Sequence, residues 1–182
     1  MKKFMVALFS LVIMGTACNS SKDGLKKIKT PFSGGSYESN RRFFRSVASG
    51  ESINLETARS KALLTANQRL ASSVQTEIKN VSESYQNERN VDGQLGNFGE
   101  RFQQLTREVM STTLIGSHKF DEKVFQKTDN TYQVWVAMEL RKKEMYKKLK
   151  EQALAKNTLS EKEKAAIAEM IDKSIAELDD NN

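Results

Sequence analysis

Residues 54–85 read NLETARSKALLTANQRLASSVQTEIKNVSESY, and a four-residue rhythm runs through them. Ala58, Ala62, Ala66, Leu70, Val74 and Ile78 recur at every fourth position, joined by Leu63, Val81 and Tyr85. Apolar residues at that spacing share one face of a helix, while the polar ones turn outward. Asn54 suits the N-cap, because its side-chain carbonyl can accept an orphan amide of the first turn. Ile53 just outside and Ala58 inside would make a weak hydrophobic staple. Three successive alanines leave little side chain between the helix and whatever lies beneath. The helix is therefore expected to lie close against a partner, and a sheet is the expected one.

The flanking segments supply that sheet. RRFFRSVASGES, residues 41–52, alternates Phe44, Ser46 and Ala48 on one face with Phe43, Arg45 and Val47 on the other, and Gly50 is expected to break it. After a hinge-like NVDGQLGN, a second helix is expected from Phe98 to Met110, with Phe98, Phe102, Leu105 and Val109 aligned. The period then changes to two. Thr112–Gln126 and Thr131–Leu140 flank the turn signal Thr128-Asp129-Asn130 and read as a β-hairpin, the second strand burying Tyr132, Val134, Val136, Met138 and Leu140. From Arg141 the chain reads as helical again. Ser160 and Glu163 form a capping box opening a last helix with Ile167, Ile171, Ile175 and Leu178 on one face. The expected fold is α+β: a small antiparallel sheet made of a strand plus a later hairpin, packed by a long amphipathic helix, with a C-terminal helical pair.

The N-terminus carries a different kind of signal. Met1-Lys2-Lys3 is followed by the apolar run Phe4–Met14, then by Gly15-Thr16-Ala17 and the only cysteine of the chain, Cys18. A basic start, a short apolar core and small residues make a secretory signal, and the run falls short of the roughly 20 residues a spanning helix needs. Small residues directly before the cysteine resemble the lipobox of bacterial lipoproteins, with Gly15 where that motif usually has Leu. The resemblance implies cleavage after Ala17 and a lipid of the palmitate class on Cys18. One acyl chain holds a protein only weakly, so such anchors carry two or more. Residues 1–17 are thus expected to be the signal peptide and 18–40, rich in Ser, Gly and Lys and holding the single proline, a flexible lipidated tether. Lys22-Asp23 faintly resembles a charged outer-face sorting signal, although a solvated linker is the favoured reading. Residues 41–145 would then be the α+β domain and 146–182 the C-terminal helices. Losing Lys2 and Lys3 lowers the formal charge from +6 to +4, mildly basic for one exported domain.

The strand and helix RSVASGESINLETARSKALLTANQRLASSV, residues 45–74, with the later strand YQVWVAMEL, residues 132–140, resemble the Lpp-twenty family of small outer-membrane lipoproteins and its flagellar-assembly relatives. The resemblance covers about residues 41–145. It implies a helix packed on an antiparallel sheet, displayed in the envelope for assembly or contact, with no catalytic residue to carry over.

Chemistry-bearing residues are sparse. His118 is the only histidine, and a lone histidine makes neither a metal site nor a complete nucleophile system without partners that the sequence does not display; Cys18, the only thiol, reads as the anchor. No metal or cofactor is expected. Gly34-Gly35 and the pair Gly93 and Gly96 lack the strand-to-helix context of a phosphate loop. Asp121-Glu122 and Asp179-Asp180 read as solvated carboxylates. The block RKKEMYKKLK, residues 141–150, sets six cations against Glu144. Export removes nucleic acid as a partner, leaving anionic lipid, a polyanionic cell-wall partner or, as the larger share, a solvated helix face. The expected interaction surface is therefore Phe43 and Phe44 with Arg141, Lys142, Lys143, Lys147 and Lys148. The expected function is a non-enzymatic, lipid-anchored envelope module at the outer membrane, on its periplasmic face or at the cell surface. Its partners would be the membrane through Cys18, an envelope protein or cell-wall polymer, and further copies of itself. The alternative is a periplasmic ligand-binding or hydrolytic lipoprotein domain.

Overall fold

A computed structural model of the chain describes residues 28–89, 98–112 and 116–180. The expected signal peptide, Cys18, the first part of the tether and the hinge at 90–97 lie outside the described residues. The elements run β1 (Phe43–Ser52), α1 (Leu55–Arg89), α2 (Phe98–Thr112), β2 (His118–Gln126), β3 (Tyr132–Arg141), α3 (Lys142–Ala155) and α4 (Glu161–Asp179). The three strands form one antiparallel sheet in the order β1-β3-β2, so the second hairpin strand is central and β1 and β2 are its edges. The fold is α+β, with a long helix on a small antiparallel sheet and a C-terminal helix pair.

Helix α1 forms as its sequence dictates. Asn54 Oδ1 accepts the Thr57 amide at 3.0 Å, and Ala58, Ala62, Ala66, Leu70, Val74 and Ile78 are all fully buried. Ile53 is 83% exposed, so the expected staple does not form, and Leu55 packs on the core instead. The strand face formed by Phe44, Ser46 and Ala48 continues to Gly50, which does not break β1. A Cβ on Gly50 would stand 2.3 Å from the Ala58 carbonyl oxygen and 2.6 Å from the Ala62 amide nitrogen. No side chain fits there. The glycine is the position at which the helix backbone rests on the strand. Polar side chains tie helix and strand together: Ser46 Oγ of β1 donates to the Ala66 carbonyl at 2.8 Å, and from the helix Lys61 Nζ donates to Glu51 O at 3.1 Å and Arg69 to Val47 O.

The hairpin turns where expected, with Asn130 at φ 63 and the Lys127 amide donating to Thr131 O at 2.8 Å. Its first strand is shorter than expected. Thr112 ends α2, residues 113–115 lie outside the described residues, and Gly116 at φ 83 turns the chain before His118 enters the ladder. A bulge between Lys119 and Asp121 leaves Phe120 as the extra residue. Ser160 and Glu163 form the capping box of α4, and Glu163 also receives Arg101 at 3.0 Å. Burial pushes the Glu163 carboxyl upward, but the Ser160 hydrogen bonds and Arg101 outweigh it and hold its pKa below the usual value.

Two expected boundaries move. The boundary at 145 falls inside α3, whose Met145, Tyr146, Leu149 and Ala153 share one buried cluster with α1, the sheet and α4. The flexible tether expected to reach residue 40 is corrected over its last part. From Pro31 to Asn40 the chain is a strap that includes the 3-10 turn Gly35–Tyr37 and buries Phe32. The pattern missed it because a strap this short has no period to display.

Candidate functional site

Two surfaces follow from this frame, one on the outer face of the sheet and one at its α3 end. On the outer face β1 presents Phe43, Arg45, Val47 and Ser49, which the register aligns with Arg141, Glu139, Ala137 and Trp135 of β3. The strap crosses this face. Ser39 Oγ accepts the Arg45 amide at 2.9 Å at the β1 edge, and Tyr37 Oη donates to Asp121 Oδ2 at 2.8 Å on β2. The Tyr37 ring stacks on Phe120 at 5.7 Å, with Phe32 4.9 Å beyond it and Lys123 Nζ over Phe32 at 5.0 Å. Its hydrogen bond to the Asp121 carboxylate holds the Tyr37 phenol above its usual pKa. Ala137, central on this outer face, is 0% exposed. Beside the strap lies a charged row, where Arg45 Nε donates to Glu139 at 3.0 Å and His118 Nε2 stands 3.2 Å from the other Glu139 oxygen. The lone histidine is thus an exposed cross-strand partner of a carboxylate already held by arginine.

At the other end the structure divides the expected interaction surface. Phe44 is 2% exposed, facing α1, and is not part of any surface; successive strand residues face opposite ways, so only Phe43 of the pair lies on the outer face. Lys142 is also corrected. Its Nζ donates to Glu77 of α1 at 2.7 Å and lies 4.6 Å from the Phe44 ring centre, so it bolts α3 to α1. Tyr146 Oη adds a bond to the same carboxylate at 3.3 Å, and burial, then the Glu77 charge, raise its pKa far above the usual phenol value. Lys150 pairs with Asp172 of α4 at 2.6 Å. Lys147 and Lys148 carry no ion pair among the described residues and are the solvated part of the block.

The structure brings Phe43, Arg141 and Lys143 together. With Arg42, Leu178 and Asp179 they line an open groove of about 220 Å³ where β1 begins and α4 ends. Arg141 lies 5.5 Å from the Phe43 ring centre, and Lys143 Nζ meets Asp179 at 2.8 Å. Arg41 donates to the Glu177 carbonyl nearby, a cation on the carbonyl end of α4. Arg42 and Leu178 escaped the sequence reading as groove residues because the groove joins three distant stretches of chain, at 42–43, 141–143 and 178–179. An aromatic floor under cations can hold an anionic or sugar-bearing group by charge and stacking. A second groove of about 400 Å³, between α2 and the α3–α4 loop, is lined by Arg101, Gln104, Glu108 and Lys156. Its charges are spent internally, Arg101 on Glu163 and Lys156 on Glu108, which keeps the Glu108 pKa low.

Among the described residues no group of three or more His, Cys, Asp or Glu side chains could hold a metal ion, and no helix is long and apolar enough to cross a membrane. No protein-family model matches the chain. No curated protein matches it in sequence.

Proposed function

We propose that this chain is a bacterial lipoprotein of the cell envelope, anchored at the outer membrane through Cys18, whose α+β domain is a non-enzymatic interaction or assembly module resembling the Lpp-twenty family. One observation carries the reading: the only cysteine of the chain directly follows a basic start, an apolar run and three small residues. The cationic groove at Phe43, Arg141 and Lys143 supports an anionic envelope partner, a protein or a cell-wall polymer. Its cations are partly shared within the fold, Lys143 with Asp179 at 2.8 Å and Arg141 with Glu144 at 3.6 Å, while Lys142 and Lys150 are engaged away from it by Glu77 and Asp172.

The test is Cys18→Ser in cells fed a labelled fatty acid. The variant is expected to lose the label and to leave the membrane fraction or stay uncut. Retention in the membrane after correct signal removal would overturn the reading.

A further inference from the structure

The strap crosses the outer sheet face in one direction, from Ser39 at Arg45, through Tyr37 at Asp121, to Phe32 at Lys123. Those contacts step along β2 toward the hairpin turn, so the strap begins toward the hairpin end, on the side from which the sequence leads back to Cys18. The same end carries an unusual share of exposed apolar side chains. Ile53, Val124 and Phe125 are three of the six large hydrophobics exposed among the described residues, and a fourth, Ile28, lies on the departing chain. The register puts them together. Phe125 pairs with Gln133, which pairs with Glu51, and Ile53 follows the last β1 residue. Phe125 lies on the outer face and Val124 on the inner, so the pair brackets the sheet's end.

We infer that the hairpin end, through Ile53, Val124 and Phe125, docks on the lipid bilayer beside the anchor; the inference rests on the acylation of Cys18 proposed above. Thirteen residues lie between Cys18 and Phe32 in sequence, and a Ser/Gly-rich chain of that length has an average span of about 20 Å. The ten residues of β1 put the cationic groove about 33 Å from the hairpin end. A short tether leaving one end of a body longer than itself brings that end to the surface first. Apolar side chains flanked by lysines suit a headgroup boundary, and here Lys123, over Phe32, and Lys127, which also reaches Glu51 at 2.7 Å, flank Val124 and Phe125. Residues 19–30 add Lys22, Lys26, Lys27 and Lys29 against Asp23 alone, a basic stretch drawn to anionic lipid. The groove with Phe43 and Arg141 then points away from the membrane, toward whatever the module binds.

The test uses the full acylated chain in vesicles of phosphatidylethanolamine and phosphatidylglycerol with brominated acyl chains. With Cys18 blocked by lipid, Phe125→Cys and, separately, Leu154→Cys each supply one thiol for an environment-sensitive fluorophore. The probe at 125 is expected to brighten, shift to the blue and be quenched by the brominated lipid. The probe at 154, on α3, is expected to stay in water. Val124→Cys repeats the reading should Phe125→Cys fold poorly. Ile53→Ser is expected to weaken quenching at 125 while the protein still floats with the vesicles. A floated protein whose probes at 124 and 125 remain aqueous would overturn the docking and leave the anchor standing. Shielding that rises with protein concentration and needs no vesicles would overturn it in favour of a second copy. An intact mass without acyl chains would remove the anchor, and the docking with it.

Discussion

The two faces of the sheet are closed by different means. On the inner face a helix of 35 residues rests with Ala58 and Ala62 against Gly50, backbone nearly on backbone. On the outer face a strap of about ten residues holds with the Phe32 and Tyr37 rings, the Tyr37 hydroxyl, Lys123 and the hydrogen bonds of Ser39 and Asn40 to β1. The first closure is close-packed and leaves no room for change. The second has few buried contacts, and local opening is expected to begin there. The three-stranded sheet thus carries a close-packed side and a lightly covered side.

Phe43 and Phe44 test that contrast at adjacent positions. Phe44→Ala empties a fully enclosed site under α1 and is expected to cost about 4 kcal/mol. Phe43→Ala removes a half-buried ring flanked by Arg45 and Arg141, at 5.0 and 5.5 Å, and is expected to cost about 1 kcal/mol. Denaturant midpoints with unchanged slopes measure both. Equal costs would mean that the two faces are equally packed, and the comparison would fail.

Gly50→Ala sharpens the inner face. One methyl group there meets the Ala58 oxygen and the Ala62 nitrogen, both backbone atoms that no rotamer change can move aside. Overpacking of this kind is expected to cost about 2–3 kcal/mol, more than any gain from the stiffer unfolded chain. A neutral Gly50→Ala variant would show that α1 lies farther from β1.

Legibility in the sequence followed the same division. Helix α1 was readable because its stripe repeats over six turns, and each alanine owes its burial to that local period. The capping box and the Asn130 turn were readable because their partners lie within a few residues. Gly50 was misread for the opposite reason: a glycine inside a strand pattern signals a break or a close approach, and only α1, folded back over it, decides between them. The strap depends on Tyr37 reaching Asp121, 84 residues on, and the basic block on Lys142 reaching Glu77, 65 residues back. No local pattern encodes such pairings. The candidate groove was therefore half legible, its cations visible in the sequence and their division between bolts and rim settled only by packing.

Alkaline titration should separate strap from core. The phenol of Tyr37 donates to Asp121, so its folded pKa lies above the unfolded value of about 10. Its contribution is fully present below that value and is lost as pH rises through the higher, folded one. Trp135 shares a register row with Lys123, which sits over Phe32, and so reports on the covered face. Acrylamide quenching of Trp135 is expected to rise in alkali before far-ultraviolet circular dichroism falls. Tyr37→Phe should already show the raised quenching at neutral pH and lose the alkaline step. Simultaneous loss of both signals would make strap and core one cooperative unit.

The smallest effect is expected at the only histidine. The His118 side chain is 59% exposed on an edge strand, and its one ion-pair partner, Glu139, keeps Arg45 at 3.0 Å when the imidazole is removed. An exposed pair of this kind contributes at most about 1 kcal/mol and is weakened further by salt. His118→Ala should therefore shift stability by no more than about 0.5 kcal/mol. It should also leave binding of envelope partners unchanged, since His118 and the groove at Phe43 and Lys143 lie on different strands and share no lining residue. Glu139→Gln is the sharper companion, because it takes the shared carboxylate from Arg45 and His118 together. A His118→Ala protein that folds normally yet loses all cellular function would place chemistry at the charged row, and with it revive a hydrolytic reading of the domain.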